Sequence, residues 1–175
     1  MVFKRGVNYK LNKFNNIKDM KILTLLFYLY SFFTLAGEIK LQTNSRVEYK
    51  EFSFTNKSTY LTINQVGQWT DSLGNYGSIE CMGLIKKDKL EKVKFLDVVC
   101  EFIDQDNVIT WKKYDREGSE IQRGVGVSTI IDTTSKYRDE LIGTKCSYAV
   151  NRTKDMIFGK QICKIPDELY RKLLK

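Results

Sequence analysis

The stretch SIECMGLIKKDKLEKVKFLDVVCEFI, from Ser78 to Ile103, has the pattern of two β-strands joined by a lysine-rich hairpin. Successive side chains of a strand point to opposite sides. In the second half, Leu96, Val98 and Cys100 therefore share one face, and Asp97 lies on the other. This alternation predicts an antiparallel hairpin with one buried face.

The rest of the chain after residue 36 continues in the same way. Short apolar segments alternate with turn sequences such as TDSLGNYG, DQDN and EGSE, and residues of these types are typical of turns. We count eight or nine short strands and one C-terminal helical segment that begins at Pro166. The spacing predicts an all-β sandwich or barrel, and glycines inside the strands favour a closed antiparallel barrel of about eight strands.

Four cysteines, Cys81, Cys100, Cys146 and Cys163, are spread over the same part of the chain. Of the three possible pairings, we favour Cys81 with Cys100 and Cys146 with Cys163, because each pair flanks a predicted hairpin. The rival interpretation is a four-thiolate zinc site. Structural zinc sites normally use closely spaced cysteine pairs, and here no two cysteines are closer than 17 positions. We therefore predict two disulfides and no metal.

The N-terminal part contains an uncharged apolar run of 15 residues, from Ile22 to Ala36. A helix that spans a bilayer needs about 20 residues. A basic start at Lys21, a short apolar middle and a small-residue end are typical of a secretory signal. We predict that residues 1–36 are a basic leader plus signal peptide. For residues 1–19 the alternatives are an extended basic leader and a segment that precedes the true start at Met20. A buried core helix and an uncleaved anchor are the alternatives.

Removing the leader changes the charge of the protein. The whole chain has a net charge of +8, but residues 1–36 hold six basic residues and one acidic residue. Residues 37–175 then carry 23 basic and 20 acidic residues, a net charge of +3. This weakens the case for a nucleic-acid partner. We predict one periplasmic or secreted domain over residues 37–175, with no transmembrane anchor after processing, and the Lys, Asn and Ile usage favours a bacterial source.

Three segments together carry a resemblance to known proteins. They are WTDSLGNYGSIECMG (69–83), RGVG (123–126) and TSKYRDELIGTKCSY (134–148). They resemble small secreted bacterial barrels of the allene oxide cyclase-like and calycin-like type over roughly Trp69 to Tyr148. The resemblance rests on turns and glycines, so it implies a barrel and no cyclase activity. This chain departs from the pattern at Thr133, Thr134 and Ser135, where glycines are usual, and in its four cysteines.

Catalytic groups are few. The chain has no histidine, which removes the commonest general base and the usual ligands of catalytic zinc. Glu80 and Glu101 flank cysteines and could form an acid–base pair, but we expect both on the solvated outer face. The DQDN turn lacks the later residues of a calcium loop. No catalytic residue and no cofactor are predicted.

Ligand binding is the function that these residues favour. Arg123 aligns with Ile121, Val125 and Val127, and a buried arginine needs a carboxylate or a ligand as its partner. Aromatic side chains could line the mouth of the barrel. The candidate ligand-binding residues are Arg123, Trp69, Tyr76, Trp111 and Tyr148.

We therefore expect an exported barrel that binds a small apolar, amphipathic or anionic ligand, or an envelope partner. The alternatives are a cofactor-free enzyme using carboxylates and tyrosines, and a structural domain with a filled interior. An open cavity of a few hundred cubic ångströms would favour the first two. Two carboxylates inside that cavity would favour the enzyme.

Overall fold

The computed structural model describes residues 37–174, which contain eight β-strands and two short helices. The predicted leader and signal peptide, residues 1–36, lie outside the described residues. The strands are β1 (Gly37–Ser53), β2 (Thr59–Asp71), β3 (Tyr76–Lys87), β4 (Val93–Asp104), β5 (Ile109–Asp115), β6 (Arg123–Thr133), β7 (Lys145–Thr153) and β8 (Met156–Ile165).

The strands form one closed antiparallel barrel in sequence order. Each strand pairs with the next, and β1 pairs with β8 to close the sheet. The prediction of an all-β closed barrel of about eight strands is confirmed. The first strand, β1, has 17 residues.

Two short helices lie at one end of the barrel. Helix α1 (Arg138–Leu141) follows β6, and helix α2 (Asp167–Leu173) follows β8 directly after Pro166. The predicted C-terminal helix is therefore confirmed. The first turn of α2 carries acidic residues and its last turn carries basic ones, an arrangement that the helix dipole favours.

The two ends of the barrel differ, and we name them for this difference. The helix end carries the 72–75 and 105–108 turns, the 134–144 connection and α2; the loop end carries the segments 54–58, 88–92, 116–122 and 154–155. Leu169 of α2 is buried against Ile130, Leu141 and Ile165. This apolar contact holds the helix against the barrel at the helix end.

Alternate residues of each strand point into the barrel interior. In β1, Leu41, Thr43, Ser45 and Val47 are buried and the residues between them are exposed. At Gly67 the walls approach so closely that an added Cβ atom would lie 2.3 Å from the carbonyl oxygen of Asn44. Only glycine fits at this position.

Both predicted disulfides are present and point into the barrel. Cys81 of β3 lies opposite Cys100 of β4, and Cys146 of β7 lies opposite Cys163 of β8. The Cα atoms of the two pairs are 4.0 and 4.1 Å apart. Structural disulfides of this kind are typical of proteins that fold in an oxidising compartment.

Candidate functional site

A layer of polar side chains crosses the middle of the barrel interior. The Ser128 hydroxyl donates to Gln161 Oε1 at 3.1 Å, and Gln161 Nε2 donates to the Tyr114 hydroxyl. The Tyr114 ring packs edge-on against Tyr148, with ring centroids 5.0 Å apart. Burial raises the pKa of Tyr114 above its usual value. This hydrogen-bonded layer separates two cavities, which have no lining residue in common.

The larger cavity lies at the helix end and has a volume of about 450 Å³. We call it the helix-end cavity. Its walls are mainly apolar and aromatic, and they include Leu41, Trp69, Phe102, Ile130 and Tyr137. Trp69 and Phe102 pack edge-on with centroids 5.9 Å apart. Cavities of about 300–1,000 Å³ with such linings are typical of sites for small molecules.

A lysine side chain lies in the wall of this cavity. Lys112 of β5 is only 5% exposed, and its ammonium group lies 4.8 Å from the centroid of the Phe102 ring. Burial lowers the pKa of Lys112 to about 8, and the charge of Asp71 opposes that shift. Within residues 37–174 its Nζ atom makes no salt bridge. Among the described residues, its charge faces the Phe102 ring and is also stabilised by the charge of Asp71.

Two carboxylates also line the helix-end cavity, but both are engaged by turns. Asp71 Oδ1 accepts backbone N–H bonds from Leu73 at 2.8 Å and from Asn75 at 3.0 Å. Asp104 Oδ1 accepts backbone N–H bonds from the DQDN turn and from Val108, each at 2.8 Å. Both carboxylates therefore stabilise turns through these hydrogen bonds. Because they are engaged in this way, they are poorly placed to act as an acid–base pair.

The smaller cavity, of about 80 Å³, lies toward the loop end, and we call it the loop-end cavity. Arg116, which follows β5 directly, is 7% exposed and lines it together with Tyr49, Tyr148 and Arg152. Burial raises the pKa of Tyr148 to about 12, while the charge of Arg116 opposes the shift. Burial also lowers the pKa of Arg116. Cationic side chains therefore line both cavities, one at each end of the barrel.

The expectation that Arg123 is buried is wrong. Its side chain is exposed, as are those of Val125 and Val127, because the inward positions of β6 near the loop end are glycines. A Cβ atom at Gly126 would lie 2.7 Å from the Tyr148 ring, and at Gly124 one would lie 2.5 Å from Arg116 Nη1. Large side chains from other segments fill the interior there, so the glycines face inward and the valines outward.

The other candidate residues are divided between the interior and the surface. Trp69 lines the helix-end cavity, where its Nε1–H donates to the Ser78 carbonyl oxygen at 3.0 Å. Tyr148 lines the loop-end cavity. Tyr76 is 60% exposed, and Trp111 points outward and donates to Glu101 Oε2 at 2.9 Å. The five predicted residues therefore do not form one site.

The outward position of Glu101 agrees with the prediction for the two glutamates. Glu80 and Glu101 lie opposite each other in β3 and β4. The adjacent cysteines point inward, so these carboxylates occupy the outer face. A paired acid and base inside the barrel is therefore not formed by these residues.

Sequence reasoning missed Lys112, although a signal was present. Lys112 and Lys113 are neighbours in one strand, and neighbouring side chains of a strand point to opposite faces. In a closed barrel, one of two adjacent lysines must therefore face inward. Lys113 faces out and pairs with Asp97 at 3.2 Å, and Lys112 faces in.

Between residues 37 and 174, no group of three or more His, Cys, Asp or Glu side chains is placed to hold a metal ion. Neither of the helices in that range is long and apolar enough to cross a membrane. Comparison of the chain with protein-family models, with curated proteins and with solved structures found no match.

Proposed function

We propose that this chain is an exported binding protein whose helix-end cavity takes a small amphipathic molecule with an anionic group. The anionic group would lie against the ammonium of Lys112, and the apolar part would pack against Trp69, Phe102 and Leu41. The single observation that carries this proposal is the buried Lys112 amine, which lies in the wall of a cavity of about 450 Å³ without a salt-bridge partner in the described residues.

Burial of the Lys112 charge has an energetic cost. Moving an ammonium group out of water without a partner is costly, and burial lowers the pKa of Lys112 to about 8 for this reason. A ligand carboxylate would supply the missing partner and raise that pKa again. A charge-assisted hydrogen bond of this kind contributes roughly 1.5–3 kcal/mol, which corresponds to a gain in affinity of about tenfold or more.

The alternatives receive less support. An enzyme that uses carboxylates would need Asp71 and Asp104 free to exchange protons, whereas both hold turns. A structural domain with a filled interior is difficult to reconcile with the helix-end cavity. The resemblance to secreted barrels of the allene oxide cyclase-like and calycin-like type remains a prediction, and the proposal does not depend on it.

Export forms part of the proposal. The short apolar run from Ile22 to Ala36 and the two disulfides favour the periplasm or the exterior of a cell. N-terminal sequencing of exported protein should read Gly37-Glu38-Ile39. A mature chain that begins at Met1 would contradict this part.

Binding is tested with a matched pair of probes, octanoate and octanol, by calorimetry on the oxidised full-length chain. We expect octanoate to bind about tenfold or more tightly than octanol, and we expect this preference to disappear in Lys112→Met. Lys113→Met is the control, because it removes the neighbouring lysine on the outer face.

Two outcomes would contradict the proposal. One is equal affinity of the unmodified chain for the acid and the alcohol. The other is an unchanged preference for octanoate in Lys112→Met. The preference for octanoate should also weaken as the pH rises through about 8, because Lys112 then loses its proton.

A further inference from the structure

A second candidate site lies at the loop end, around Arg116. This residue follows the last residue of β5 and lines the loop-end cavity with 7% of its surface exposed. A guanidinium group stays charged at any ordinary pH, so burial places a positive charge inside the barrel at this end. The described part of the chain supplies no carboxylate within salt-bridge distance of it.

The hydrogen-bond donors of Arg116 are largely unused. Its Nε and Nη1 atoms are buried and make no hydrogen bond with any described residue. Its Nη2 donates to the Ile121 carbonyl oxygen over a long 3.4 Å. The buried hydroxyl of Ser119 also lacks a partner among residues 37–174. Buried donors are normally satisfied in proteins, so this group of donors indicates a binding site for an acceptor.

The backbone at Gly124 brings these donors together. A Cβ atom at Gly124 would lie 2.5 Å from Arg116 Nη1 and 2.6 Å from Ser119 Oγ. The two donors therefore pack against the backbone of β6 at Gly124, which has no side chain. Any larger residue at this position would displace them.

A second guanidinium group faces the same cavity. The Arg152 guanidinium stacks 4.0 Å from the centroid of the Tyr49 ring, and its Nε donates to the Lys154 carbonyl oxygen at 2.7 Å. The charges of Arg152 and Arg116 both act on Tyr49 and oppose the rise in its pKa that burial causes. Two cationic groups thus line one small cavity, Arg116 from the segment after β5 and Arg152 from β7.

We infer that the loop-end cavity is a binding site for a small oxyanion, such as a phosphate or carboxylate group, held by Arg116 with help from Arg152. The planar guanidinium fork matches two oxygens of such an anion. An anion there would provide the charge partner that a buried arginine requires.

The size of the cavity limits the occupant. At about 80 Å³ it is less than a fifth of the volume of the helix-end cavity. It suits a free anion or the terminal anionic group of a larger molecule that enters from the loop end. The site is independent of the function proposed above, because the two cavities share no lining residue.

Inorganic phosphate is the first probe, and the oxidised full-length chain is the sample. Its unfolding midpoint in phosphate is compared with that in chloride of equal ionic strength, and affinity is measured by calorimetry. We expect phosphate to raise the midpoint, because a ligand that binds only the folded state stabilises it. Lys112→Met should keep the full response, which separates this site from the helix-end cavity.

Variants at the site make the test specific. Arg116→Met should abolish the phosphate response, and in chloride it should be as stable as the unmodified chain or more so, because it removes a buried charge that lacks a partner. Arg152→Gln, at a more exposed position, should bind phosphate about tenfold more weakly. It also serves as the test if Arg116→Met does not fold.

The source of the anion is distinguished with hexyl phosphate. Equal affinity for phosphate and hexyl phosphate supports a site for a free anion, and about tenfold tighter binding of the ester supports the end group of a larger ligand. The inference is overturned if neither compound stabilises the chain more than chloride does. It is also overturned if Arg116→Met, or Arg152→Gln where the first variant does not fold, retains the full response.

Discussion

The substitution Lys112→Met isolates the energetic cost of one buried charge. Methionine has a similar length, no charge and enough flexibility to fill an irregular apolar space. Lys112 is 5% exposed, and burial lowers its pKa from 10.5 to about 8. One pKa unit corresponds to about 1.36 kcal/mol, so the charged amine lowers the stability of the fold by about 3 kcal/mol.

The sign of the pH dependence follows from proton binding. Between about pH 8 and pH 10.5, the unfolded chain binds a proton at Lys112 that the folded chain has lost, so stability rises with pH. From about pH 7 to about pH 9.5, the two pKa values of Lys112 predict a rise of about 2 kcal/mol in the free energy of unfolding. Above about pH 10, Tyr114 and Tyr148 act in the opposite direction, because burial raises the pKa of each.

The assay is urea unfolding of the oxidised chain at about pH 7 and about pH 9.5, for the unmodified protein, Lys112→Met and Lys113→Met. Lys112→Met should lose the rise with pH and be more stable at about pH 7 by about 2 kcal/mol, after allowance for the lost contact with Phe102. Lys113→Met loses only a surface ion pair with Asp97, worth at most about 1 kcal/mol, and should keep the rise. The reasoning is refuted if Lys112→Met keeps the pH dependence of the unmodified chain, or if it is less stable at both pH values.

Two other perturbations test the barrel itself. The double variant Cys81→Ser with Cys100→Ser removes a disulfide that closes a loop with a sequence separation of 19. Urea unfolding should show that the free energy of unfolding falls by about 3 kcal/mol. An unchanged midpoint would mean that the unfolded chain is not constrained by this bond. Gly67→Ala places a Cβ atom 2.3 Å from the carbonyl oxygen of Asn44 and should cost about 3 kcal/mol or prevent folding. Ser147→Ala, at an exposed strand position, should change stability by less than about 0.5 kcal/mol in the same urea unfolding assay. Equal effects of the two alanine substitutions would contradict the close approach at Gly67.

The pairing of the cysteines was accessible from the sequence because it depends on local geometry. Each pair flanks a hairpin, and residues at equal distances from a hairpin turn lie opposite each other. The disulfides between Cys81 and Cys100 and between Cys146 and Cys163 confirm this prediction. The buried face of β4 was predictable for a related reason, since Val98 and Cys100 alternate with residues that are less buried.

Whether the Arg123 side chain points into or out of the barrel could not be predicted from the sequence in the same way. In β6, the valines mark one face and the glycines the other, and hydrophobicity assigns the valines to the interior. The interior near the loop end is already filled by Tyr148 and Arg116, which come from other parts of the chain. Gly124 and Gly126 face them because only glycine leaves the necessary room.

The sequence by itself indicated the approximate number of strands, most of their turns, the favoured disulfide partners and the sets of residues that share a face, because these depend on neighbours within one hairpin. Only the tertiary structure decided which face of β6 is inside, which of Lys112 and Lys113 is buried, and where the two cavities lie. The physical reason is that successive side chains along a strand alternate between two faces. The choice of the inner face depends on the volume that all eight strands leave when the barrel closes.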